Sequence, residues 1–218
     1  MKKVSLFLLL IIIGLSTAES PKIIYIDDFE DGDITADPAW WTFGDSQVNV
    51  VSVPGIKEDK LAKNCGKQVL KIEGSTEAWY IGGMGCYLAQ DATAVNAVKF
   101  MVYGNGPQSG RITIQLYDDD NNNEELEQDV ERNYEPIFDD KIEYTFDVNW
   151  KGWQVITVPI DRFKDSNSGV GDNVWNPSKD NGSGGLLHFQ LIFLANGKKG
   201  NINVAIDNIK LVEEKIKK

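Results

Sequence analysis

Asn201–Val212, N-I-N-V-A-I-D-N-I-K-L-V, is an apolar β run that carries one carboxylate, Asp207. A carboxylate on a largely buried strand is costly unless it is hydrogen-bonded, paired or bound to a metal. The opposite end of the chain offers partners: the strand-like run Ile23, Ile24, Tyr25, Ile26 leads into I-D-D-F-E-D-G-D, Ile26 to Asp33. If the first and last strands lie side by side, Asp28, Glu30 and Asp207 converge on one hard cation. Ca2+ takes carboxylate and backbone carbonyl oxygens in flexible geometry. The alternative is a solvated acidic turn, with Asp207 capping a bulge together with Asn208.

The chain opens M-K-K, continues with an apolar run from Val4 to Leu15 and closes that segment with Ser16, Thr17 and Ala18. The pattern predicts a secretory signal peptide over residues 1–18. Its apolar run falls short of the ~20 residues a membrane-spanning helix needs. Residues 19–218 are then expected to form one β-sandwich domain, secreted or periplasmic. The net charge is −11 over 218 residues, and loss of Lys2 and Lys3 makes it more negative. Such a balance argues against nucleic acid and anionic membranes, which select basic patches.

Short alternating runs bounded by Gly, Asn, Asp and Pro recur along the chain and helix signals are nearly absent, which predicts an all-β protein. In Arg111–Tyr117, Ile112, Ile114 and Leu116 oppose Thr113, Gln115 and Tyr117; in Leu187–Phe193, Leu187, Phe189, Leu191 and Phe193 oppose His188, Gln190 and Ile192. Period two sends one set to a core and presents the other outward. Further strands are predicted at Gln47–Val53, Ala97–Tyr103, Ile142–Phe146 and Trp153–Val158, enough for two antiparallel sheets packed face to face. Long polar loops are expected at Asp118–Asp140 and Asp165–Gly185. A hairpin of Gln68–Glu73 with Ala78–Tyr87 would set Cys65 opposite Cys86, which predicts a disulfide in an exported protein; two thiols are the alternative.

No G-x-S-x-G, phosphate loop or dinucleotide fingerprint is present, and the single His188 lacks a sequence partner for a triad. One His and two Cys do not make a transition-metal site. Most acids fall in polar loops, so the chain reads as non-enzymatic, although a glycosidase needs only two carboxylates. Asp118 to Glu125 holds Ca2+ ligand types without the glycine of an EF-hand loop, and reads as a solvated loop of weak affinity at most.

Sugars present C–H faces that stack on aromatic rings, and hydroxyls that bond to planar polar side chains. The outward sets supply that combination, with Gln115 and Tyr117 on one strand and His188 and Gln190 on another. Tyr103 (opposite Val98, Phe100 and Val102), Trp79 or Tyr80 from the hairpin, and Arg132 and Tyr134 from the following loop complete the candidate ligand-binding set. Trp150 and Trp153 read as core. Of Trp40 and Trp41, one ring would plug the core while the other stays at the surface.

Four segments, D-D-F-E-D-G at Asp27–Gly32, Y-G-N-G at Tyr103–Gly106, G-W-Q-V-I-T-V-P-I-D-R-F at Gly152–Phe163 and A-I-D-N-I-K-L at Ala205–Leu211, resemble the galactose-binding-like β-sandwich domains. Within these the chain most resembles the carbohydrate-binding modules of family eleven and related bacterial modules. The resemblance implies a jelly roll with a structural Ca2+ near the chain ends, in keeping with Asp28, Glu30 and Asp207. It also implies a concave sheet face that binds a β-glucan through Tyr, Asp, Arg and His side chains, for which Tyr103, Tyr117, Arg132, Tyr134 and His188 are suitably placed. The expectation is a secreted, non-catalytic jelly-roll β-sandwich that binds a polysaccharide or oligosaccharide. A structural or protein-interaction sandwich of the cell envelope is the first rival and a glycoside hydrolase the second.

Overall fold

Alternation along the last strand builds the spine of one of two antiparallel sheets. The computed structural model describes residues 22–53, 61–180 and 182–215; the signal peptide expected over residues 1–18 lies outside them. The strands are β1 (Ile23–Asp27), β2 (Trp40–Gly44), β3 (Gln47–Ser52), β4 (Gln68–Thr76), β5 (Tyr80–Gln90), β6 (Ala97–Asn105), β7 (Arg111–Asp118), β8 (Gln128–Asp129), β9 (Glu135–Pro136), β10 (Asp140–Asp147), β11 (Lys151–Pro159), β12 (Lys164–Asp165), β13 (Leu186–Leu194) and β14 (Gly200–Val212). The first sheet runs β11-β6-β14-β4-β3 with β1 also on β14, and the second runs β12-β10-β7-β13-β5-β2. Helical structure among the described residues is limited to three single 3-10 turns, and none is long and apolar enough to cross a membrane.

Strand β14 pairs with β4 along Gly200–Ile206 and with β1 along Ile209–Val212, so first and last strands are neighbours as the two acidic runs imply. Asp207 and Asn208 fall at the seam between those two partners. A bulge against β6 there, with Asn208 at φ 54°, shifts the inward set from Ile202, Val204 and Ile206 to Ile209 and Leu211. An extra residue in one strand reverses which face later side chains take.

Leu70, Ile72, Phe100, Val102, Val204 and Ile206 of the first sheet meet Met84, Ile114, Leu116, Phe189, Leu191 and Phe193 of the second in one apolar core. Burial of each such side chain contributes about 1.5–3 kcal/mol. Trp40 is the ring that plugs the core. It sits 6.3 Å from Phe29 and 6.2 Å from Phe189 by centroid, and its Nε1 donates to Asp27 Oδ2 at 2.7 Å.

Strands β4 and β5 do not form the expected hairpin. β4 lies between β14 and β3 in the first sheet and β5 between β13 and β2 in the second, with residues 77–79 crossing from one to the other. Cys86 therefore faces the core, whereas Cys65 lies on the outer side of the first sheet with Val69, Met101 and Trp153. The predicted disulfide does not form; both residues are buried thiols. Alternation assigns a residue to a face, but it does not say which sheet its strand joins.

Candidate functional site

The outward side chains of the second sheet fall into three rungs across its strands. Trp41 of β2 is opposite Gly85 of β5, Gly85 is opposite Gln190 of β13, Gln190 is opposite Gln115 of β7 and Gln115 is opposite Glu143 of β10. One rung further along lie Tyr87, His188, Tyr117 and Lys141; on the other side lie Phe43, Gly83, Ile192, Thr113 and Thr145. With strands about 4.8 Å apart and rungs about 7 Å apart, the face suits an extended oligomer better than a single ring.

The β2–β5 half of this face is aromatic and smooth. A Cβ at Gly85 would lie 2.6 Å from Trp41 Cζ2, and one at Gly83 would lie 2.5 Å from Phe43 Cε2. Each ring thus packs against a glycine where a side chain would clash, and Trp41 keeps 37% of its surface exposed. His188 is ringed by Trp41 at 5.0 Å, Tyr87 at 5.8 Å and Tyr117 at 6.0 Å. Tyr87, 45% exposed, is steadied by its hydroxyl donating to the Glu124 carbonyl at 3.1 Å.

The β7–β10 half is polar and internally bonded. The Tyr117 hydroxyl donates to Gln115 Oε1 at 3.0 Å and reaches Gln190 Oε1 at 3.5 Å, Gln115 Nε2 donates to Glu143 Oε2 at 3.1 Å, and the Thr113 and Thr145 hydroxyls lie 2.7 Å apart. Lys141 Nζ donates to Glu135 Oε2 at 2.5 Å. Tyr117 is only 3% exposed, so it is a floor beneath the face instead of a stacking ring. The Gln190 amide NH2 donates to no acceptor among the described residues. Burial pushes His188 down to about 4, so its imidazole is neutral at neutral pH.

Of the residues expected to bind, Gln115, Tyr117, His188 and Gln190 come together on this face. Arg132 and Tyr134 lie in the exposed β8–β9 hairpin, whose Glu135 holds Lys141 and so rims the face at that end. Trp79 and Tyr80 pair at 5.9 Å beyond the Phe43 rung, beside Arg111 and Leu194. Tyr103 is separated from the set altogether: it belongs to the first sheet and packs on Trp153 at 5.5 Å with Cys65, Met101 and Ala205. Trp41, Phe43 and Tyr87 complete the site, and the signal for the first two is W-T-F on β2 facing G-G-M-G on β5, where alternate glycines make room for alternate rings.

Of the stretch expected to be a solvated loop, Asn122–Glu125 are exposed, but the acids at the borders of the long β7–β10 connection are not. Asp118 and Asp139 are fully buried and Asp119 and Asp140 nearly so. Burial, reinforced by neighbouring carboxylates, pushes Asp118 up to about 8, Asp139 to about 7 and Asp120 to about 6.

At the chain ends, Asp207 is fully buried and pushed up to about 7 by that burial, with the Asp28 charge adding and hydrogen bonds from Asn208 and Cys65 opposing. Asn208 donates to it from its backbone N at 2.7 Å and from Nδ2 at 3.1 Å, which is the bulge cap. Glu30 Oε1 turns to the backbone N–H groups of Lys67 at 2.7 Å and Gln68 at 2.9 Å.

No curated protein sequence matches the chain. Among solved structures, the family 11 carbohydrate-binding module from Clostridium thermocellum in complex with a β-1,3-1,4-mixed-linked tetrasaccharide is similar in fold, with a TM-score of 0.54 at 17% identity over 90% of this chain and 98% of that one. The family 30 carbohydrate-binding module of a cellulosomal cellulase of Clostridium thermocellum gives 0.51 at 13% identity over 88% of this chain and 98% of that one. The family model of the surface glycan-binding protein B xyloglucan-binding domain matches residues 22–213, which takes in both sheets from β1 to β14. The chain therefore belongs to the family of surface glycan-binding protein B xyloglucan-binding domains.

Proposed function

We propose that the chain is a non-catalytic carbohydrate-binding module whose second sheet holds an extended β-glucan of the xyloglucan type across its outer face. The observation that carries this reading is the rung Trp41–Gly85–Gln190–Gln115–Glu143, which passes from a flat exposed ring to a file of planar polar groups. A β-linked glucan offers C–H faces for Trp41, Phe43 and Tyr87 and hydroxyl edges for Gln190, Gln115, Glu143 and His188. The polar groups are held by one another, so they are oriented before the ligand arrives and little ordering cost remains at binding. The xyloglucan from which the family takes its name supports the choice of glucan.

Isothermal titration and affinity electrophoresis against xyloglucan, mixed-linkage β-glucan and an α-glucan test the reading. Binding to the β-glucans and not to the α-glucan is expected; silence across the panel removes it. A structural Ca2+ at the seam of β1, β4 and β14 is part of the same proposal. Asp28 and Asp207 would hold it together, with Glu30 at its margin and backbone carbonyls completing the shell. Export after cleavage of residues 1–18 is the remaining part, tested by the mass of the mature N-terminus.

A further inference from the structure

The strands that present Tyr117 and Lys141 end in acids the glucan-binding face does not use. Asp118 closes β7, Asp140 opens β10 directly opposite it, and Asp120 follows two residues on. One carboxylate oxygen from each lies within 4.8 Å of the others. Like charges directly opposite on paired strands repel, and these two are 0% and 3% exposed. Among the described residues no Lys, Arg or His forms an ion pair with any of the three.

Backbone donors satisfy part of the charge. Asn176 N–H reaches Asp118 Oδ2 at 2.9 Å, Asp140 N–H reaches Asp120 Oδ2 at 2.8 Å, and Asn173 and Val174 N–H reach Asp140 at 3.2 Å and 2.9 Å. Among the described residues, Asp118 Oδ1 is buried without a hydrogen-bond partner. The loop over residues 167–176 closes directly on the cluster. At Gly171, with φ +69°, a Cβ would meet Asp120 Oδ2 at 2.2 Å and Asp140 Oδ1 at 2.5 Å.

We propose that Asp118, Asp120 and Asp140 form a Ca2+ site that ties the ends of β7 and β10 to the loop over residues 167–176. Two ligands about 2.4 Å from one Ca2+ can be at most about 4.8 Å apart, which the three carboxylates satisfy, and the remaining positions fall to backbone carbonyls and water. The set is all oxygen, which disfavours Zn2+, and three carboxylates with backbone carbonyls fit the adaptable shell of Ca2+ better than the rigid, water-rich octahedron of Mg2+. It lies in the second sheet, away from the chain-end seam, and fixes the strand ends one residue from Tyr117 and Lys141. No single-loop motif reveals it, because its ligands come from two loop borders twenty residues apart.

The full chain is stripped with EGTA and titrated with CaCl2, followed by calorimetry and thermal unfolding and without glycan, so that its outcome is independent of the glucan reading. The variants are Asp118→Asn, Asp120→Asn and the double change Asp28→Ala with Glu30→Ala. In the double variant, which lacks the chain-end ligands, Ca2+ at a hundredfold excess over Kd is expected to raise the midpoint by about 5–10 °C. Added to the double variant, whose chain-end seam is removed, either Asn change is expected to abolish that increment, and without Ca2+ to leave the midpoint at or above that of the double variant, because one repelling charge is gone. Should Asp118→Asn fail to fold, the less buried Asp120→Asn carries the test. No response in the double variant, or an undiminished response when either Asn change is added to it, overturns the proposal.

Discussion

At the scale of single residues, Trp41 carries most of the expected affinity, because its ring is exposed on one side and supported by Gly85 on the other. Trp41→Ala is expected to weaken glucan binding about tenfold or more while leaving the midpoint of unfolding within a few degrees, since stacking on an exposed ring is worth on the order of 1.4 kcal/mol. Gly85→Ala tests the same geometry from beneath. The added Cβ would stand 2.6 Å from Trp41 Cζ2 and 2.7 Å from Gln190 Cγ, so binding should fall comparably and stability should drop by about 1–3 kcal/mol. His188 gives a pH signature. Its folded value is about 4 against an ordinary 6.5, so the unfolded chain takes up the proton first as pH falls. The stability this contributes is full above 6.5 and is lost on the way down to about 4, at up to ~1.4 kcal/mol per pH unit. The raised carboxylates give both proteins a pH-dependent stability, so denaturant titrations of the wild type and His188→Gln at several pH values should show that slope in the difference between the two. Of these residues His188 was legible from strand alternation, whereas Trp41 could not be separated from Trp40. Adjacent residues on a strand face opposite ways, and only the pairing of β2 with the glycines of β5 decides which one is outside.

At the scale of elements, alternation located β7, β13, β6 and β11 to within a few residues, because each has one apolar and one mixed face. It failed for β4 and β5, since a short connection between two strands fits a hairpin and a crossing between sheets equally well. The consequence is measurable. Without a disulfide between Cys65 and Cys86, reducing agent should leave the unfolding midpoint unchanged, and thiol titration in denaturant should find both groups. A midpoint that drops on reduction would contradict the separation of the two strands. The core these strands enclose should be intolerant of loss. Phe189, fully buried and in contact with Trp40, is expected to cost about 3–5 kcal/mol on change to Ala, read from the shift in denaturant midpoint. The acidic residues after β7 escaped the sequence reading for a related reason. Composition marks a polar loop as solvated, while the packing of the loop over residues 167–176 onto Asp120 and Asp140 depends on a contact between distant segments.

At the scale of the whole molecule, the two sheets divide the labour. The first is organised by β14 and joins the chain ends; the second turns its core-facing residues to the same interior and its outward rungs to a ligand. The protein is strongly acidic, at −11, yet the proposed ligand is neutral, so affinity should rest on stacking and hydrogen bonds and not on long-range attraction. The Kd for glucan is therefore expected to change less than about twofold between roughly 50 mM and roughly 1 M salt. A steep salt dependence would point to a charged partner. The central claim, that glucan lies across the outer face of the second sheet, is tested most directly by mapping amide and indole shifts in a nitrogen-15 correlation spectrum while xyloglucan oligosaccharide is added. Shifts are expected at Trp41, Phe43, Tyr87, His188 and Gln190, with Tyr103 and Trp153 on the opposite sheet unmoved. Shifts centred on Tyr103 and Trp153, with the Trp41 indole silent, would contradict it.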